Sequence, residues 1–370
     1  MELNGKKVLV VCTTDNMIWQ FLLPSINMFK TMGATVHCAC NETGFWFDEI
    51  PKHSEVTMHK LPFERSPFKL ANLKAYKALK KLVREEKYDL IYCHQPVGGV
   101  MGRLVAKKFD IPVIYVAHGF HFYKGCPKKN LLFKAIEHYC ARYTTALVTM
   151  NEEDYQASLK MKAKNKYKIN GIGFDFNKYT NPKVERVEMR KTLGLSDEFT
   201  IVTVAEMIKR KNYGTMLKVI ERLKDQNIKF LICGRGEQEE SIRQQISDLK
   251  IENKVEILGY RKDINNIMTA SDLFFLPSYQ EGLTLSVIEA MNFGLPCAVS
   301  DVRGNRDLIE DHKGGIIAEP EDDLMFAKKI KNLIEDRKIA SNMGEFNKNS
   351  SDAYSVTNVL SQIEKIVKEI

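Results

Sequence analysis

The sequence predicts an α/β fold made of two doubly wound, Rossmann-like domains that face a cleft. The chain has 370 residues, more than a single hydrophobic core usually organises. Short apolar runs alternate with longer amphipathic stretches along the whole chain, as strands and helices do around a parallel sheet. The apolar runs are continuous rather than interrupted by polar residues, which is typical of strands buried on both faces.

Ten apolar runs are predicted as strands, five in each half of the chain. Helical patterns such as LANLKAYKALKKLVREEK lie between them, and a last helix is predicted from about Val356 to Ile370. The polar stretch 177–198 contains a proline and no strand pattern, so we interpret it as the linker. The predicted strands are 7–13, 35–40, 89–94, 112–118, 146–150, 199–205, 229–234, 254–259, 272–278 and 296–301.

These elements divide the chain into three parts. We expect an N-terminal domain over residues 1–178, a C-terminal domain over 179–353 and a final helical segment over 354–370. The final segment can pack on either domain, and packing back on the N-terminal domain is one of the two alternatives. In doubly wound sheets, ligands bind where loops leave the carboxyl ends of the strands.

Basic residues are concentrated in the first half of the chain. Residues 1–180 hold 27 Lys and Arg against 16 Asp and Glu, a net charge of +11, whereas the remaining residues sum to −3. This asymmetry predicts an anionic partner, either a membrane surface, a nucleic acid or a phosphorylated substrate. The aromatic–basic interleaving of single-strand binders is absent, so we expect no nucleic-acid partner. The excess lies in Lys69, Lys74, Lys77, Lys80, Lys81, Arg84 and Lys87, then in Arg103, Lys107, Lys108, Lys124, Lys128 and Lys129.

Several protein classes are excluded by pattern. No apolar run approaches the roughly 20 residues that span a bilayer, and the apolar run after Lys6 and Lys7 is interpreted as a strand rather than a signal peptide. The eight cysteines form no CxxC pair, so we expect free thiols in a reducing cytoplasm. Neither an Asp-x-Asp at the end of an apolar run nor a His/Cys cluster is found, and we expect no metal and no other cofactor.

The stretch EGLTLSVIEAMNFGLPCAVSD places two carboxylates around a predicted helix start. Glu281 follows a strand, Gly282 permits a turn, and the helix begins near residues 283–285. Free N–H groups in the first turn form an anion site. Glu289 lies in the second turn of this apolar helix and needs hydrogen-bond donors, which sugar or ribose hydroxyls could supply. In the alternative reading, Glu281 is solvated and Glu289 bonds to a nearby backbone N–H.

The same stretch resembles the donor site of the retaining, GT-B-fold glycosyltransferases of the glycosyl transferase group 1 class (family 4). Their signature is Glu, seven residues and Glu, followed by Gly-x-Pro, here Gly294 to Pro296. Residues 302–317 resemble the Gly-x-x-Glu-Leu-Ile segment of that family, with Asp307 in place of Glu. Residues 91–108 and 116–158 resemble its bacterial exopolysaccharide and capsule branch, so the likeness spans nearly the whole chain.

The resemblance implies roles for the donor-site residues. Glu289 would bind the ribose hydroxyls, and Glu281 would contact the donor sugar near the reacting carbon. Lys211 corresponds to the lysine that holds the leaving diphosphate, whereas Glu206 stands where many members have an arginine. Arg210 either supplies the missing charge or is an exposed loop residue. The backbone N–H groups of Gly282, Leu283 and Thr284 would meet the diphosphate and sugar.

Further contacts are expected on other loops. The family likeness favours a donor-sugar contact for His118, although a hydrogen-bonded structural histidine is the alternative. Gly234 and Gly236 are interpreted mainly as a tight turn between a strand and a helix. We expect donor contacts from Arg235, Tyr260 and Arg261, and acceptor contacts from Asp15, Asn16 and Trp19, although Trp19 can equally belong to the core.

The resemblance implies an enzyme that is retaining and metal-independent. It would move a hexose or N-acetylhexosamine from a nucleotide sugar, most simply a UDP-sugar, to a polyprenyl-diphosphate-linked saccharide in bacterial surface polysaccharide assembly. The N-terminal domain would bind the acceptor and the C-terminal domain the donor. The alternatives are transfer to another lipid or a soluble acceptor, and a non-catalytic protein that binds nucleotide sugars.

A cytoplasmic protein held peripherally at the inner face of the plasma membrane is the expected location. An anionic leaflet attracts clustered lysines. In the predicted helix after Phe68, Leu70, Leu73, Tyr76, Leu79 and Leu82 recur near helical spacing with lysines between them. The alternative is an ordinary amphipathic helix whose apolar stripe packs on the sheet.

Overall fold

The computed structural model describes residues 1–123, 125–176 and 184–370. Lys124 of the basic region and the predicted domain boundary after residue 178 lie outside these residues. The chain forms two compact units: unit 1 comprises Met1–Gly173 and Val356–Ile370, and unit 2 comprises Phe174–Ser355. The C-terminal helix thus belongs to unit 1.

Unit 1 is built on a seven-stranded parallel sheet with the order β3-β2-β1-β4-β5-β6-β7. Its strands are β1 Lys7–Thr14, β2 Thr35–Asn41, β3 Thr57–Lys60, β4 Leu90–His94, β5 Val113–Val116, β6 Ala146–Thr149 and β7 Asn165–Lys168. Its helices are α1 Asp15–Met17, α2 Leu23–Thr31, α3 Ile50–Ser54, α4 Ala71–Glu86, α5 Pro96–Phe109, α6 Leu131–Ala141 and α7 Glu152–Leu159, with a π-helix at Ile18–Leu22 and a 3₁₀ turn at Lys128–Asn130. The strand order reverses between β1 and β4, which is where a ligand crevice forms in such sheets.

Unit 2 has a six-stranded parallel sheet with the order β10-β9-β8-β11-β12-β13. Its strands are β8 Phe199–Val204, β9 Ile228–Cys233, β10 Val255–Gly259, β11 Leu273–Leu276, β12 Cys297–Ser300 and β13 Gly315–Ala318. Its helices are α8 Arg186–Thr192, α9 Tyr213–Arg222, α10 Glu239–Asp248, α11 Ile264–Ala270, α12 Leu285–Asn292, α13 Asn305–Leu308, α14 Asp323–Glu335 and α15 Arg337–Ser351, with 3₁₀ turns at Lys209–Lys211 and Asp352–Tyr354. Its order reverses between β8 and β11.

Ten of these strands coincide with the ten predicted apolar runs, and the remaining three, β3, β7 and β13, were missed. Each of the three lies at the edge of its sheet and has only one neighbouring strand. An edge strand is not enclosed on all sides, so TMHK and NKYK can be polar and carry no apolar run. β13, GIIA, has an apolar run like those of the predicted strands and was overlooked.

Each unit has its own hydrophobic core. In unit 1 the core is built around Leu9, Ile91 and Leu147 of the sheet, and in unit 2 around Ile201, Phe230 and Phe274. All eight cysteines are free thiols, and seven of them are buried. Within the described residues, no helix is long and apolar enough to cross a membrane.

The predicted linker 177–198 was too long. Residues 177–183 lie outside the described chain, but α8 follows soon after and packs into unit 2. Arg186 donates to the carbonyls of Thr269 and Ser271, both at 2.7 Å, and Arg190 donates to that of Ala270 at 2.9 Å. A polar sequence was compatible with a packed helix here because its arginines bind backbone carbonyls.

The C-terminal helix, α16 Val356–Glu369, is held against unit 1 by specific contacts. Val359 and Val367 are fully buried. The side chain of Gln362 accepts a hydrogen bond from the backbone N–H of Asn170 at 3.0 Å, and Tyr167 donates to Glu369 at 2.9 Å.

Candidate active site

The best-defined polar cluster of unit 2 lies on the loops that follow β8 and β11, the two strands at its reversal point. The 3₁₀ turn Lys209–Lys211 belongs to the first loop and Glu281 to the second. Asn212 joins them, because its side-chain amide donates to the carbonyls of Pro277 at 2.9 Å and Pro320 at 2.7 Å. Asn212 has φ +58°, a left-handed conformation that asparagine tolerates better than most residues.

Glu281 is buried and paired with two cations. Its carboxylate accepts from Lys211 Nζ at 2.6 Å and from Arg210 Nη1 at 3.0 Å. Arg210 also donates to the carbonyl of Gln280 at 2.7 Å. The sequence alternative of a solvated loop glutamate is therefore wrong, and Arg210 is a member of the cluster. The three side chains carry one net positive charge at the carboxyl edge of the sheet.

Lys211 is almost as buried as its partner. Burial lowers the pKa of its ammonium group, and the charges of Glu281 and of Glu206 oppose that shift. Glu206 itself is exposed. The acidic residue that replaces the usual arginine thus faces solvent, and its charge helps to keep Lys211 protonated.

Glu289 has entirely different surroundings. It lies in α12, and no described residue donates a hydrogen bond or an ion pair to its carboxylate. Burial raises the pKa of this carboxyl to about 7. A half-buried carboxylate without protein donors is costly unless a ligand supplies them. The alternative in which Glu289 bonds to a nearby backbone N–H is not observed.

The N-terminus of α12 is left open. The hydroxyl of its N-cap residue, Thr284, donates to Asn305 Oδ1 at 3.0 Å instead of capping the helix. Among the described hydrogen bonds, none is donated by the backbone N–H of Leu283 or of Thr284. These N–H groups and the positive end of the helix dipole can receive an anion.

The segment that follows β12 supports the loop from Glu281 to Thr284. This structural role was not predicted from the sequence. Arg303 Nε donates to the carbonyl of Glu281 at 3.1 Å, and Asn305 is fully buried beneath Thr284. Gly304 has φ +80°, and a Cβ there would lie 2.4 Å from the carbonyl oxygen of Gly282. Asp307, the residue that replaces the family glutamate, accepts from the backbone N–H of Gly304 at 3.1 Å. The Gly-x-x-Asp pattern was the only sequence signal for this support.

The remaining predicted donor contacts lie along the loops after β9 and β10. Arg235 is exposed, and its Nε would lie 3.9 Å from a Cβ on Gly259, beside the turn that carries Tyr260 and Arg261. Tyr260 is 66% exposed, and Arg261 forms a two-bond ion pair with Asp263 at 2.7 and 2.6 Å. Their contact with a donor stays a prediction.

Gly234 and Gly236 allow the loop after β9 to pack closely against the loop after β8. A Cβ on Gly234 would lie 1.9 Å from the carbonyl oxygen of Ala205, and one on Gly236 would lie 2.4 Å from that of Met207. Both glycines lie in the loop between β9 and α10, where the close approach of the neighbouring loop leaves no room for a Cβ, and the tight turn stays an interpretation.

In unit 1, His118 follows β5 and pairs with His94 at the end of β4. The distance between His94 Nδ1 and His118 Nε2 is 2.9 Å. Burial lowers the pKa of His118 to about 4, and burial together with the His118 ring holds the pKa of His94 well below its usual range. Both rings are therefore neutral at pH 7. His118 is hydrogen-bonded within unit 1, and a donor-sugar contact remains a prediction.

Asp15, at the start of α1, is fully buried and organises a neighbouring loop. Its carboxylate accepts from the N–H groups of Asn16, Thr43 and Gly44 at 2.9, 3.1 and 3.2 Å, and from the Thr43 hydroxyl at 2.8 Å. Burial acts to raise its pKa, but these hydrogen bonds bring the pKa below its usual value. This geometry gives Asp15 a positioning role, and its contact with an acceptor stays a prediction.

Trp19 lies in the π-helix and is half-buried rather than part of the core. Its ring stacks on Trp46 with centroids 4.4 Å apart, and His53 packs edge-on at 4.8 Å. Asn16 is also half-buried. π-helical turns often occur at functional sites, and the acceptor contacts expected from Asn16 and Trp19 stay predictions. Across the described residues, no group of three His, Cys, Asp or Glu side chains could hold a metal ion.

Comparison with solved structures defines the class of the fold. The chain superposes on Anabaena HepE, solved in complex with UDP, with a TM-score of 0.83 and 19% identity, covering 100% of each chain. Two doubly wound domains of this kind are the GT-B fold.

Sequence comparison then defines the family. Residues 185–350 match glycosyl transferases group 1, and residues 7–151 match glycosyl transferase 4-like proteins. Putative glycosyltransferase EpsD of Bacillus subtilis (strain 168) is 32% identical over 98% of this chain and 96% of its own length. The UDP-Gal:alpha-D-GlcNAc-diphosphoundecaprenol alpha-1,3-galactosyltransferase of Escherichia coli is 30% identical over 72% of each chain. The chain belongs to the group 1 glycosyltransferases and is a transferase enzyme.

Proposed function

We propose that this enzyme transfers a hexose or N-acetylhexosamine from a UDP-sugar to a polyprenyl-diphosphate-linked saccharide during assembly of a bacterial surface polysaccharide. The reaction is proposed to be retaining and metal-independent. The observation that carries the donor side is the unpartnered carboxylate of Glu289 on the same helix as an open N-terminus. A ribose offers two hydroxyl donors to such a carboxylate, and a diphosphate offers oxygens to the N–H groups.

Leaving-group stabilisation is assigned to the cluster after β8 and β11. When the glycosidic bond of the donor breaks, negative charge grows on the departing UDP. Lys211 and Arg210 are held in place by Glu281 before the reaction, so they need little reorganisation to stabilise that charge. Cations placed in this way do the work that a divalent metal does in other transferases, which supports metal independence.

The acceptor is inferred from charge and from the relatives. Unit 1 contains the basic half of the sequence, and a diphosphate-linked acceptor is anionic. The Escherichia coli relative is named for a diphosphoundecaprenol-linked acceptor. Attachment to an anionic membrane surface follows from the same charge, because such an acceptor resides in the bilayer. Leu70 and Leu73 at the start of α4 are 78% and 60% exposed, so the apolar stripe of this helix is not fully used by packing on the sheet.

A donor panel tests the proposal directly. UDP release should be measured for UDP-glucose, UDP-galactose, UDP-N-acetylglucosamine and UDP-N-acetylgalactosamine, with polyprenyl-diphosphate-linked saccharides and with water as acceptors. We expect acceptor-dependent release that survives EDTA, and an anomeric configuration in the product that matches the donor. Release that requires a divalent metal, or an inverted product, would refute those parts of the proposal. Absence of UDP binding would refute the whole.

A further inference from the structure

Unit 1 contains an apolar cavity that none of the assigned roles explains. It has a volume of about 390 Å³, within the usual range for small-molecule sites. Its walls come from the segment before α4, from α5, from the loop after β5 and from α6. The apolar lining includes Phe68, Val100, Met101, Phe120, Phe133 and Ile136.

The polar groups that reach this cavity already have protein partners. Glu137 accepts from Arg103 Nη1 at 2.8 Å and from the Tyr115 hydroxyl at 3.2 Å. Gln95 Oε1 accepts from the backbone N–H of Thr13 at 2.9 Å, and His118 is bonded to His94. Glu137, although charged, is therefore neutralised by a fully buried arginine. An apolar ligand would deprive none of these groups of a partner, whereas a sugar would find few free ones.

Exposed apolar side chains continue from the cavity onto the surface. Phe68 lines the cavity and is 73% exposed, and Leu70 and Leu73 follow it in sequence. Leu131 and Leu132 directly precede Phe133 and are 57% and 50% exposed. Clustered exposure of this kind marks a binding surface for an apolar partner.

Lysines lie close in sequence to these apolar side chains. Each is exposed, and none forms an ion pair with a described residue. They are Lys69, Lys74 and Lys77 on the first segment, and Lys128, Lys129 and Lys134 on the second. An apolar cavity whose wall-forming segments carry exposed, unpaired lysines is complementary to one type of molecule, an amphiphile with an apolar chain and an anionic head.

We propose that this cavity binds the isoprenoid units next to the diphosphate of a prenyl-diphosphate acceptor, with lysines of the wall-forming segments facing the diphosphate. This inference rests on the proposed function and specifies which part of the acceptor unit 1 recognises. It makes the lipid chain, and not only the saccharide, a determinant of acceptor choice.

Calorimetric titration of the full chain with farnesyl diphosphate, isopentenyl diphosphate and inorganic diphosphate, all below the micelle concentration, tests the proposal. Burial of additional isoprene units should make farnesyl diphosphate bind at least about tenfold more tightly than isopentenyl diphosphate. Equal affinity for the three ligands would show that only the anionic head is recognised, and would overturn the proposal.

Substitutions that add polarity at nearly constant volume locate the site. Met101→Gln combined with Val100→Thr should weaken farnesyl diphosphate binding about tenfold and leave inorganic diphosphate binding unchanged. Met325→Gln is the matched control, because Met325 is 40% exposed on α14 of unit 2. Unchanged farnesyl diphosphate affinity in the double variant would overturn the proposal.

UDP binding separates this inference from the proposed function. UDP should bind the double variant as it binds the wild type, since the residues proposed to bind the nucleotide, such as Glu289 and Lys211, are in unit 2. Wild-type UDP binding without any prenyl-diphosphate binding would remove the cavity proposal and leave the donor assignment standing. If the double variant fails to fold, Met101→Gln alone and the chain-length comparison on the wild type decide the question.

Discussion

Glu281 and Glu289 are separated by seven residues and have opposite electrostatic surroundings. Glu281 is enclosed by Lys211 and Arg210, so its charge is compensated by the protein. Glu289 has no donor among the described residues, and burial raises its pKa to about 7. The carboxylate of Glu281 is thus paired within the protein, whereas that of Glu289 has a hydrogen-bond capacity that we propose a ligand fills. Substitution of the two should therefore change stability in opposite directions.

Glu289→Gln should stabilise the unliganded enzyme and weaken UDP binding. The carboxyl has a pKa of about 7 when folded and 4.5 ordinarily, so between these values the native state binds more protons than the unfolded state. Stability from this group therefore falls as pH rises from 4.5 to 7, and the neutral amide removes the loss. We expect a Tm above that of the wild type at pH 8 and little difference at pH 4.5, by calorimetry. UDP affinity should fall about tenfold or more, as for lost charged hydrogen bonds. Wild-type UDP affinity in this variant would remove the ribose assignment.

Glu281→Gln should destabilise the enzyme and abolish turnover. It leaves Lys211, whose side chain is 11% exposed, without its buried counterion, and such losses cost about 3 kcal/mol. Urea unfolding measures the change. Glu335→Gln is the control, because Glu335 is 58% exposed and its pairing with Lys331 is worth less than about 1 kcal/mol. Equal stability of the two variants would show that the Lys211–Glu281 pair is not an important contact.

At the scale of elements, the start of α12 depends on the segment that follows β12. Arg303, Gly304 and Asn305 hold the loop at Glu281 to Thr284 through two hydrogen bonds and one close backbone approach. Gly304 combines a positive φ with that approach, so only glycine fits. The loop geometry is therefore set by residues that need not touch the donor.

Gly304→Ala should weaken UDP binding as well as stability. Its Cβ would meet the Gly282 carbonyl at 2.4 Å, so the loop that carries Leu283 and Thr284 must move. Gly194→Ala is the control, because it introduces backbone strain without displacing a neighbouring loop. Gly194 has φ +64°, but no atom lies within 4 Å of an added Cβ. Gly194→Ala should lose about 1 kcal/mol to backbone strain and Gly304→Ala at least as much, but only Gly304→Ala should also lose UDP affinity. UDP affinity equal in both variants would contradict this account of the loop.

At the scale of the whole molecule, the two units differ in charge as they do in proposed ligand. Among the described residues of the basic region, most side chains are exposed, whereas Lys80 is half-buried and Arg103 is buried against Glu137. Because α4 carries exposed lysines together with exposed Leu70 and Leu73, unit 1 can combine electrostatic and apolar attraction to a bilayer. Residues 181–370, which form most of unit 2, sum to −3 and lack this excess.

Binding to liposomes should increase with anionic lipid and decrease with salt, as measured by sedimentation. Each basic group near an anionic surface contributes about 1 kcal/mol. Replacing Lys77, Lys80, Lys81 and Arg84 with Gln should therefore greatly reduce binding. Replacing Lys224, Lys313, Lys331 and Lys338, which are exposed on unit 2, removes the same charge and should have little effect. Binding that ignores lipid charge, or equal losses in the two variants, would contradict attachment through unit 1.

Local pattern was sufficient for much of the fold and for the position of the donor motif. Ten strands, α12 and the C-terminal helix were predicted because each has a continuous apolar run or an apolar stripe, which is visible within a few residues. The edge strands β3 and β7 were not, since their sequences TMHK and NKYK are mostly polar and contain no apolar run. The helix α8 was not predicted, because it is held by arginines that bind carbonyls of a segment distant in sequence.

Long-range contacts decided what the functional side chains do. Glu281 meets Lys211 across 70 residues of sequence, and Asp15 meets Thr43 across 28, so neither pairing follows from neighbouring residues. The same holds for the cavity in unit 1, whose walls come from four separate segments. Spacing in the sequence could name Glu281 and Glu289 together, but only burial and the placement of donors from other strands show that one carboxylate is neutralised and the other is open. The physical reason is that desolvation and charge pairing depend on distance in space, whereas the apolar periodicity that forms strands and helices depends on distance along the chain.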